Sequence, residues 1–435
     1  MGLEIMIYMN DATRYTIHDK RVLLFGLGLL GGGIATANWL IKQGARLTVA
    51  DAKTRQQLAP SIAKIKGEVE YVLGGTEPSL DGVEILVLNP GVSFRHPLVV
   101  KARESGIPVI NEATIFYNTF PGKIIGITGT RGKTTTAHWT HHFIKDSVLA
   151  GNSPEHPFLS VLPLSPPSPS YRKRGTRGGN IWAVTELSSF HLELFDSSVR
   201  PPDIAVVTNI YRDHLNRYDS MQEYAETKKN LYRWQKPGQI LITEANEVPL
   251  ELGNFEEKWG RHNLANVRMA ALAAHYAGVS WETIQSLIAT LPQLPYRQQV
   301  VFQSDTLTII NDNNATSPDG GIAAIERFGG PDTVLIAGGT DANLDFAKWN
   351  EIVEKKILKK HRIFLSGSAT DKMVSGNIYE TLGECIEIAL KNNPKIILFS
   401  PACKSFEKFI NEYDRGEQFN KLVKDAIKKG AGGFA

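Results

Sequence analysis

The stretch Gly126-Ile-Thr-Gly-Thr-Arg-Gly-Lys-Thr-Thr-Thr136 decides how this chain of 435 residues is interpreted. It follows the apolar run Lys123-Ile-Ile125, which is typical of a buried strand, and it precedes a predicted helix. A strand that turns through glycines into a helix directs backbone N–H groups and the positive end of the helix towards one point. Lys133 adds a full positive charge there. Such a point favours the phosphates of a nucleotide.

The turn departs from the general phosphate-binding pattern. That pattern has a glycine five places before Gly132, where this chain has Ile127, and the turn uses Gly129 instead. The Gly-Lys-Thr core after a strand still predicts that residues 128–134, called the phosphate loop below, bind ATP or GTP. Lys133 would hold the β and γ phosphates, and the hydroxyl of Thr134 would bind Mg²⁺.

The composition favours a globular enzyme of several domains. At ~150 residues per domain the length predicts about three domains. A net charge of +3 is too small for nucleic acid or a membrane surface to be the main partner. The two cysteines, Cys385 and Cys403, lack the spacing of a zinc site and fit a reducing compartment. No apolar run approaches the ~18 residues of a membrane span, so we expect a cytoplasmic protein.

A second glycine-rich turn lies near the N terminus. The apolar strand Arg21–Phe25 meets Gly26-Leu-Gly28-Leu-Leu-Gly31, a helix is predicted over Ile34–Gln43, and the next strand, Arg46–Ala50, ends at Asp51. Strand, G-x-G-x-x-G, helix, strand and acid form the dinucleotide-binding fingerprint, for which NAD is the simplest ligand. The same geometry binds any pyrophosphate, including that of a nucleotide sugar. Both ligands stay open at this point.

The alternation of apolar runs and helical patterns predicts an α/β chain of three domains, each an open, mostly parallel sheet with flanking helices. We expect a Rossmann-like domain over 1–118, a phosphate-loop domain over 119–294 and a second Rossmann-like domain over 295–435. Residues 1–20 are interpreted only as an extension or an irregular first strand. Residues 153–180 are rich in proline and serine and then in arginine, which predicts a mobile basic loop.

The remaining elements follow from the same patterns. Further strands are predicted at Glu84–Leu88, Ile107–Ile110, Ile181–Thr185, Ile204–Thr208, Thr306–Ile310, Thr333–Ile336, Arg362–Leu365 and Lys395–Phe399. Further helices are predicted at His96–Ser105, Tyr224–Trp234, Val267–Ala277, Ser280–Ala289, Gly321–Arg327, Ala347–Leu358, Leu382–Asn392 and Glu417–Lys429.

Two predicted strands after the phosphate loop are followed by polar residues. Glu186 follows one of them, and His214 lies a few residues beyond the other. Because parallel nucleotide-binding sheets gather their chemistry at the carboxyl ends of strands, both are candidate Mg²⁺ ligands or water-orienting groups. His138, His141 and His142 have a spacing that could hold a metal, but no glutamate stands between them. Burial of one helix face is the simpler interpretation of these histidines.

Several motifs occur together along the chain. They are Thr128–Thr134, Glu186–Glu193, Asn209–His214, Tyr224–Lys228, Arg261–Asn266, Pro295–Arg297, and Ser400–Cys403 with Arg415-Gly416. In this order they resemble the Mur ligases of peptidoglycan synthesis, and the resemblance covers nearly the whole chain except residues 1–20 and 153–180. It implies ligation of an amino acid to a UDP-linked muramoyl precursor, and it replaces the NAD interpretation.

The resemblance also implies roles for individual residues. Residues implied to bind ATP are Gly129, Thr130, Gly132, Lys133, Thr134, Thr135, Asn263, Asn266, Arg297 and Asp312, the two asparagines beside adenine and the last two from the third domain. Residues implied to bind the UDP substrate and the amino acid are Gly28, Leu29, Leu30, Asp51, Asn89, Pro90, Gly91, Asn152, Thr316 and Ser405. Residues implied in catalysis are Lys133, Glu186, His214 and Lys228, and those implied in two Mg²⁺ sites are Thr134, Glu186, His214 and a carbamylated Lys228. A carbamate would give Lys228 the oxygen ligands that Mg²⁺ prefers.

The implied reaction joins D-glutamate to UDP-N-acetylmuramoyl-L-alanine through an acyl phosphate, with ATP, in a cytoplasmic monomer. Three positions depart from the D-glutamate-adding members: Asn314 and Ala342 replace lysines, and Glu412 replaces an aromatic residue. The departures weaken the case for a dicarboxylic amino acid, because an unpaired carboxylate is costly to desolvate. Lys404 or Arg415 could supply the missing charge.

Three alternatives stay open. The same ligase chemistry could use another amino acid, such as L-glutamate. The glycine-rich turn at Gly26–Gly31 leaves an NAD-dependent oxidoreductase as a distant alternative from another class. A nucleotide-binding module without catalytic activity is the third.

Overall fold

The structure is a computed structural model, and it describes residues 6–10, 13–162, 181–215, 217–244 and 247–430. The chain forms two compact units, Met1–Pro292 and Gln293–Ala435. Within the described residues the first unit contains a two-stranded hairpin and two five-stranded sheets, and the second unit contains a six-stranded sheet. The predicted α/β class with mostly parallel sheets is therefore confirmed. The division into three domains at residues 118 and 294 stays a prediction.

The first unit begins with a hairpin and a parallel sheet. The hairpin pairs β1 (Met6–Asn10) with β2 (Thr13–Thr16), where the sequence predicted only an extension or an irregular first strand. The strands of the sheet are β3 (Arg21–Phe25), β4 (Arg46–Asp51), β5 (Glu70–Leu73), β6 (Ile85–Leu88) and β7 (Val109–Ile110). They lie in the order β5-β4-β3-β6-β7 and are all parallel. Val22–Leu24 of β3 and Ile85–Leu88 of β6 are apolar and buried, because both faces of these central strands are covered.

A second parallel sheet follows in the same unit. Its strands are β8 (Lys123–Thr128), β9 (Val148–Gly151), β10 (Trp182–Glu186), β11 (Ile204–Val207) and β12 (Ile240–Ile242). Their order is β12-β11-β8-β10-β9, and all of them are parallel. β8 therefore lies at the centre, between β10 and β11. The phosphate loop, Glu186 and the segment that leads to His214 all leave the sheet at the same edge, as the sequence predicted.

The helices of the first unit cover both faces of its sheets. They are α1 (Gly32–Lys42), α2 (Ala59–Ile62), α3 (Pro97–Glu104), α4 (Glu112–Thr119), α5 (Lys133–Phe143), α6 (Ser189–Leu192), α7 (Met221–Lys229), α8 (Phe255–Trp259), α9 (Asn263–Tyr276) and α10 (Trp281–Ile288). α9 begins four residues before its predicted start, so Asn263 and Asn266 are part of the helix. α7 ends at Lys229, where turns replace the predicted continuation to Trp234.

One hydrophobic core joins the two sheets of the first unit. It contains Leu24 of β3 and Ile124 of β8, with Phe116 and Tyr117 of α4 between them. The sequence did not predict α4, because six of its eight residues are buried, the polar Glu112 and Thr114 among them, so the helix shows no amphipathic period. Its signal was the cap Asn111, whose side chain accepts the N–H of Thr114.

The second unit is one mixed sheet with helices on both faces. Its strands are β13 (Gln299–Gln303), β14 (Thr308–Asn311), β15 (Thr333–Gly338), β16 (Arg362–Leu365), β17 (Asn377–Tyr379) and β18 (Ile396–Phe399). They lie in the order β13-β14-β18-β15-β16-β17, with only β13 antiparallel to its neighbour. Its helices are α11 (Pro318–Phe328), α12 (Ala347–Lys356), α13 (Leu382–Lys391) and α14 (Glu412–Gly430).

Two predicted helices of the second unit are longer than the sequence indicated. α11 begins at Pro318, because the side chain of Ser317 caps it by accepting the N–H of Gly320. α14 begins at Glu412, five residues before its predicted start. No helix in the described part of the chain combines the length and the apolar character that a bilayer crossing requires.

Only part of the predicted basic loop can be assessed. Residues 163–180 lie outside the described residues. Residues 153–162 include a 3₁₀ turn, Phe158–Ser160, in which Phe158 and Leu159 are buried in the core of the first unit. Packed structure therefore extends about ten residues into the segment that the sequence assigned to the loop.

Phe116→Ala tests the core that joins the two sheets. The ring of Phe116 is fully buried and lies 5.1 Å from that of Phe120 and 5.3 Å from that of Phe158, between centroids. Removing it leaves a cavity, and we expect the free energy of unfolding to fall by about 3–5 kcal/mol. Urea unfolding followed by circular dichroism measures this change. Tyr276→Ala, at a half-exposed position, is the control and should lower the free energy of unfolding by less than about 1 kcal/mol. Equal losses in the two variants would contradict the assignment of Phe116 to the core.

Candidate active site

The phosphate loop is a turn whose backbone only glycine allows at two positions. Gly132 caps α5 with a φ of 80°, and Gly129 has a φ of 147°. A Cβ at Gly132 would overlap Oδ1 of Asn266, and one at Gly129 would overlap Oγ1 of Thr208. No side chain caps the first turn of α5, which leaves its N–H groups available for an anion. These features fit the phosphates of ATP.

Residues after β11 hold the phosphate loop in place. The side chain of Asn209 accepts the N–H of Arg131 at 2.8 Å, and its backbone oxygen accepts the N–H of Thr130 at 2.9 Å. Asp213 pairs with the guanidinium of Arg131 at 3.3 Å. The hydroxyl of Thr208 donates to the backbone oxygen of Arg131 at 2.5 Å. The motif around Asn209 therefore braces the loop, a role that the sequence alone did not reveal.

Lys228 is buried directly behind the phosphate loop. Its side chain lies on α7 and is 1% exposed, and its Nζ donates to the backbone oxygen of Gly129 at 2.9 Å. Nζ also lies 4.6 Å from the ring centroid of Tyr224. Burial, together with the charge of Lys133, lowers the pKa of Lys228 to about 6, although Asp213 partly opposes the shift. This shift favours the neutral, nucleophilic form of the amine.

Glu186 ends β10, and His214 lies seven residues beyond the end of β11; these two strands flank β8. Glu186 is the buried last residue of β10, and its backbone oxygen accepts the N–H of Asn152 at 3.0 Å. His214 has a φ of 56°, and its ring packs against that of Phe190 at 4.9 Å between centroids. Its Nε2 lies 3.8 Å from a carboxylate oxygen of Asp213.

The oxygen donors among the described side chains can hold Mg²⁺ only if a bound ligand supplies further oxygens. Glu186 and the hydroxyl of Thr134 offer the oxygens that this hard cation prefers. Among the described residues, no group of three or more His, Cys, Asp or Glu side chains could hold a metal ion. Magnesium therefore requires further oxygens, such as those of the nucleotide phosphates.

Asn263 and Asn266 lie in the first turn of α9, against the phosphate loop. Nδ2 of Asn266 donates to Oδ1 of Asn263 at 2.8 Å, and Oδ1 of Asn266 accepts the hydroxyl of Thr136 at 3.4 Å. Asn263 donates to the backbone oxygen of Trp259 at 2.8 Å. Asn266 thus braces the start of α5, and contact of both asparagines with adenine stays a prediction.

The histidines of α5 have protein partners. Nδ1 of His141 lies 2.8 Å from the hydroxyl of Ser147, and Nε2 of His142 lies 3.2 Å from that of Thr290. Burial and the nearby His156 and His142 lower the pKa of His141. These contacts support the interpretation that one face of the helix is buried.

The glycine-rich turn of the first sheet is capped by Asp51. One carboxylate oxygen of Asp51 accepts the N–H groups of Leu27 and Gly28, both at 2.9 Å, and the other accepts that of Lys53 at 2.9 Å. These hydrogen bonds fix the backbone of the turn. Contact of Asp51, Leu29 and Leu30 with a uridine stays a prediction.

Sequence analysis missed a buried ion pair between two motifs. Arg217 donates to the backbone oxygens of Pro90 and Val92 at 3.0 and 2.9 Å, and it pairs with Glu193 at 2.5 Å. Within the turn, the side chain of Asn89 accepts the N–H of Gly91 at 2.9 Å. Arg217 thereby fixes the turn Asn89–Gly91, which is predicted to bind the UDP substrate. The only sequence signal of the ion pair was the position of Glu193 at the end of the quoted run.

In the second unit, Asp312 is a buried carboxyl group at the end of β14. Its oxygens accept the hydroxyl of Ser400 at 2.9 Å and the N–H of Gln298 at 3.2 Å. Burial raises the pKa of Asp312 to about 7, against the opposing hydrogen bonds and the charge of Arg297. The guanidinium of Arg297 donates to the backbone oxygen of Pro295 at 3.3 Å. Contact of Asp312 and Arg297 with ATP stays a prediction.

Arg415 is a buried cation that binds only protein groups among the described residues. It is fully buried, and its Nε donates to Oδ1 of Asn313 at 2.6 Å. Its Nη groups donate to the backbone oxygens of Cys403 at 3.2 Å and Lys404 at 3.1 Å. Burial lowers the pKa of Arg415 to about 10, which leaves it charged at pH 7. The suggestion that Arg415 replaces a missing substrate-binding lysine is therefore wrong, because its donors are engaged inside the protein.

Known proteins show where this architecture occurs. Residues 127–259 match the family model of the Mur ligase middle domain, and residues 20–111 match that of the MurD-like N-terminal domain of Mur ligases. Two solved structures share the fold. UDP-N-acetylmuramate-alanine ligase MurC from Thermotoga maritima matches with a TM-score of 0.55 at 16% identity, over 93% of this chain and 99% of its own. MurF ligase from Thermotoga maritima, in complex with ADP, matches with a TM-score of 0.51 at 15% identity, over 95% and 96%.

Curated relatives extend the match to nearly the whole chain. A UDP-N-acetylmuramoylalanine–D-glutamate ligase from Roseiflexus sp. (strain RS-1) is 30% identical over 93% of this chain and 98% of its own. One of the same name from Koribacter versatilis (strain Ellin345) is 28% identical over 94% and 98%. With two matching family models and a relative at this identity over almost its full length, the chain belongs to the Mur ligase family of amide-forming ligases.

Proposed function

We propose that this chain is the ATP-dependent ligase that joins D-glutamate to UDP-N-acetylmuramoyl-L-alanine. The observation that carries the proposal is the position of Lys228, buried behind a phosphate loop, in a chain that aligns along nearly its whole length with D-glutamate ligases. The glycine turn and the uncapped start of α5 support ATP as the second substrate.

The proposed reaction has two steps. The terminal carboxylate of the nucleotide substrate attacks the γ-phosphorus of ATP, which releases ADP and forms an acyl phosphate. The amine of D-glutamate then attacks the acyl carbon, which releases phosphate and a proton and forms the amide. In the first step Lys133, at the start of α5, would stabilise the charge that develops on the transferring phosphoryl group.

Magnesium is proposed at Thr134, Glu186, His214 and a carbamylated Lys228, where it would neutralise phosphate charge. Lys228 fits carbamylation because the neutral amine is the form that adds to carbon dioxide, with loss of a proton. The carbamate oxygens would supply ligands that the described side chains lack.

The remaining roles of single residues are also part of the proposal. The turn residues Gly28 and Gly91 would lie along the UDP group. Thr135 would assist in the phosphate loop, and Asn152 would contact the nucleotide substrate from the end of β9. A monomeric state and a cytoplasmic location stay predictions.

L-glutamate is the alternative within the family. It carries the same charges as D-glutamate, and the relatives that are named D-glutamate ligases favour the D form. The NAD-dependent oxidoreductase is not favoured, because the relatives that match nearly the whole chain are named as ligases. The same match disfavours a module without catalytic activity.

The function is tested by phosphate release from ATP. With UDP-N-acetylmuramoyl-L-alanine present, we expect release with D-glutamate and little with L-glutamate, D-lysine or no amino acid. Lys133→Ala should lower kcat at least about a hundredfold, because charge stabilisation of this kind is worth about 3–4 kcal/mol. Lys145→Ala, an exposed lysine just beyond α5, is the matched control. Turnover only with another amino acid would keep the ligase and change its product; no release with any of them would contradict the proposal.

The carbamate on Lys228 is tested directly. We expect a carbamate carbon signal in the ¹³C NMR spectrum after incubation with ¹³C-bicarbonate at pH 8, and its loss in Lys228→Met. Lys229→Met should keep the signal, because Lys229 is exposed and pairs with Glu226 at 2.6 Å. A signal of equal size in both variants would place the carbamate elsewhere.

The lowered pKa of Lys228 predicts a pH dependence of stability. The folded-state pKa is about 6 against an ordinary value of 10.5, so between these values the unfolded chain binds the extra proton. Stability from this group therefore rises with pH in that window and is lost as pH falls towards 6. Without bicarbonate, Lys228→Met should be more stable than the wild type at pH 7. The difference in free energy of unfolding between this variant and the wild type should shrink by up to about 1.4 kcal/mol per pH unit between pH 7 and 9. A difference that does not change with pH would refute the lowered pKa of Lys228.

A further inference from the structure

Two loops of the second unit lie side by side at one edge of its sheet. β14 and β18 are parallel neighbours, and Asn311 at the end of β14 pairs with Phe399 at the end of β18. The loop after β14 contains residues 312–316, and the loop after β18 contains residues 400–405. The carboxyl ends of adjacent parallel strands are where open sheets bind their ligands.

Buried hydrogen bonds fix the backbone of both loops. Arg415 joins them, because it binds Asn313 on one loop and the backbone oxygens of Cys403 and Lys404 on the other. Thr340 adds a short antiparallel pairing, since its N–H donates to the oxygen of Lys404 at 3.0 Å and its oxygen accepts the N–H of Lys404 at 3.2 Å. The base of the Lys404 side chain therefore has a defined position.

Polar groups without partners occur on both loops. The hydroxyl of Ser405, a residue that is 3% exposed, and Nδ2 of Asn314 are buried and have no hydrogen-bond partner among the described residues. Such groups cost free energy in a folded protein and are expected where a ligand completes the hydrogen bonds. A hydroxyl and an amide N–H both suit an oxygen acceptor.

Lys404 adds a charge beside these donors. Its Nζ lies 3.4 Å from the hydroxyl of Thr316, so its side chain reaches across from the second loop to the first. It forms no ion pair with any residue in the described ranges. Its neighbour Lys408, by contrast, is bound to Glu380 through the backbone oxygen at 2.6 Å and the carboxylate at 3.0 Å.

We propose that Lys404 is the cation that recognises the side-chain carboxylate of the incoming amino acid. Ser405, Asn314 and Thr316 would donate hydrogen bonds to the same carboxylate. This inference rests on the proposed function. Positions 314 and 342, as Asn314 and Ala342, carry no charge in this chain, and the guanidinium of Arg415 is enclosed by protein. A carboxylate that leaves water without a cation is strongly disfavoured, so Lys404 supplies the charge that those positions lack.

The test compares Lys404→Ala with the wild type in the phosphate-release assay. We expect Lys404→Ala to raise KM for D-glutamate about tenfold to a hundredfold, the effect of losing a charged hydrogen bond, with kcat within about threefold. KM for ATP and for the nucleotide substrate should not change. Lys404→Arg should keep most of the affinity, since it keeps the charge. Lys408→Ala, the matched control four residues further along the chain, should leave KM for D-glutamate unchanged.

A second variant asks whether charge is the cause. Ala342→Lys places a lysine two residues beyond Thr340, whose backbone pairs with that of Lys404, and in the Lys404→Ala background it should recover part of the lost affinity. An unchanged KM in Lys404→Ala, a loss reproduced in full by Lys404→Arg, or an equal rise in KM for all three substrates would overturn the inference.

Failure of the proposed function gives a different result. If the wild type uses L-glutamate and not D-glutamate, the product assignment fails, and the role of Lys404 is measured with L-glutamate, which has the same side chain. A wild type that works with D-glutamate while Lys404→Ala is unaffected overturns only the inference. A wild type that uses no dicarboxylic amino acid overturns both.

Discussion

The close approach of the phosphate loop to its neighbours is the constraint on which the first unit depends. At Gly129 and Gly132 the backbone lies so near Thr208 and Asn266 that no side chain fits. The two glycines therefore let β11 and α9 pack directly against the turn, and those contacts aim the first N–H groups of α5 at one point. The position of the anion site is thus set by packing behind the loop, in addition to the sequence of the loop itself.

The same packing creates the chemistry of Lys228. α7 places this lysine against the backbone oxygen of Gly129, and within the described residues no carboxylate is hydrogen-bonded to it. Burial and the nearby charge of Lys133 both disfavour its ammonium form and lower the pKa of Lys228. A lysine stripped of water in this way is suited to modification or to nucleophilic attack.

The second unit uses a buried cation in a different way. Arg415 does not offer its charge to a ligand, because its guanidinium is shared among Asn313 and the backbone oxygens of the loop after β18. Planar donors that point in several fixed directions suit this role of joining two loops. The brace leaves the flexible ammonium of Lys404 and the unpartnered hydroxyl of Ser405 at the edge of the sheet. The charge that joins the two loops, on Arg415, and the charge that is proposed to recognise a ligand, on Lys404, thus belong to different residues.

The sequence by itself determined the α/β class, most strands, the phosphate loop and the family, because apolar runs, glycine turns and motif order are local properties. It missed α4, since a helix buried on nearly all sides has no amphipathic period. Only the tertiary structure decided which charges are available. Arg217 and Arg415 both carry charges that suit a ligand, yet each is engaged with backbone groups far away in sequence. Hydrogen-bond partners and loss of water are set by the folded chain, and no local pattern encodes them.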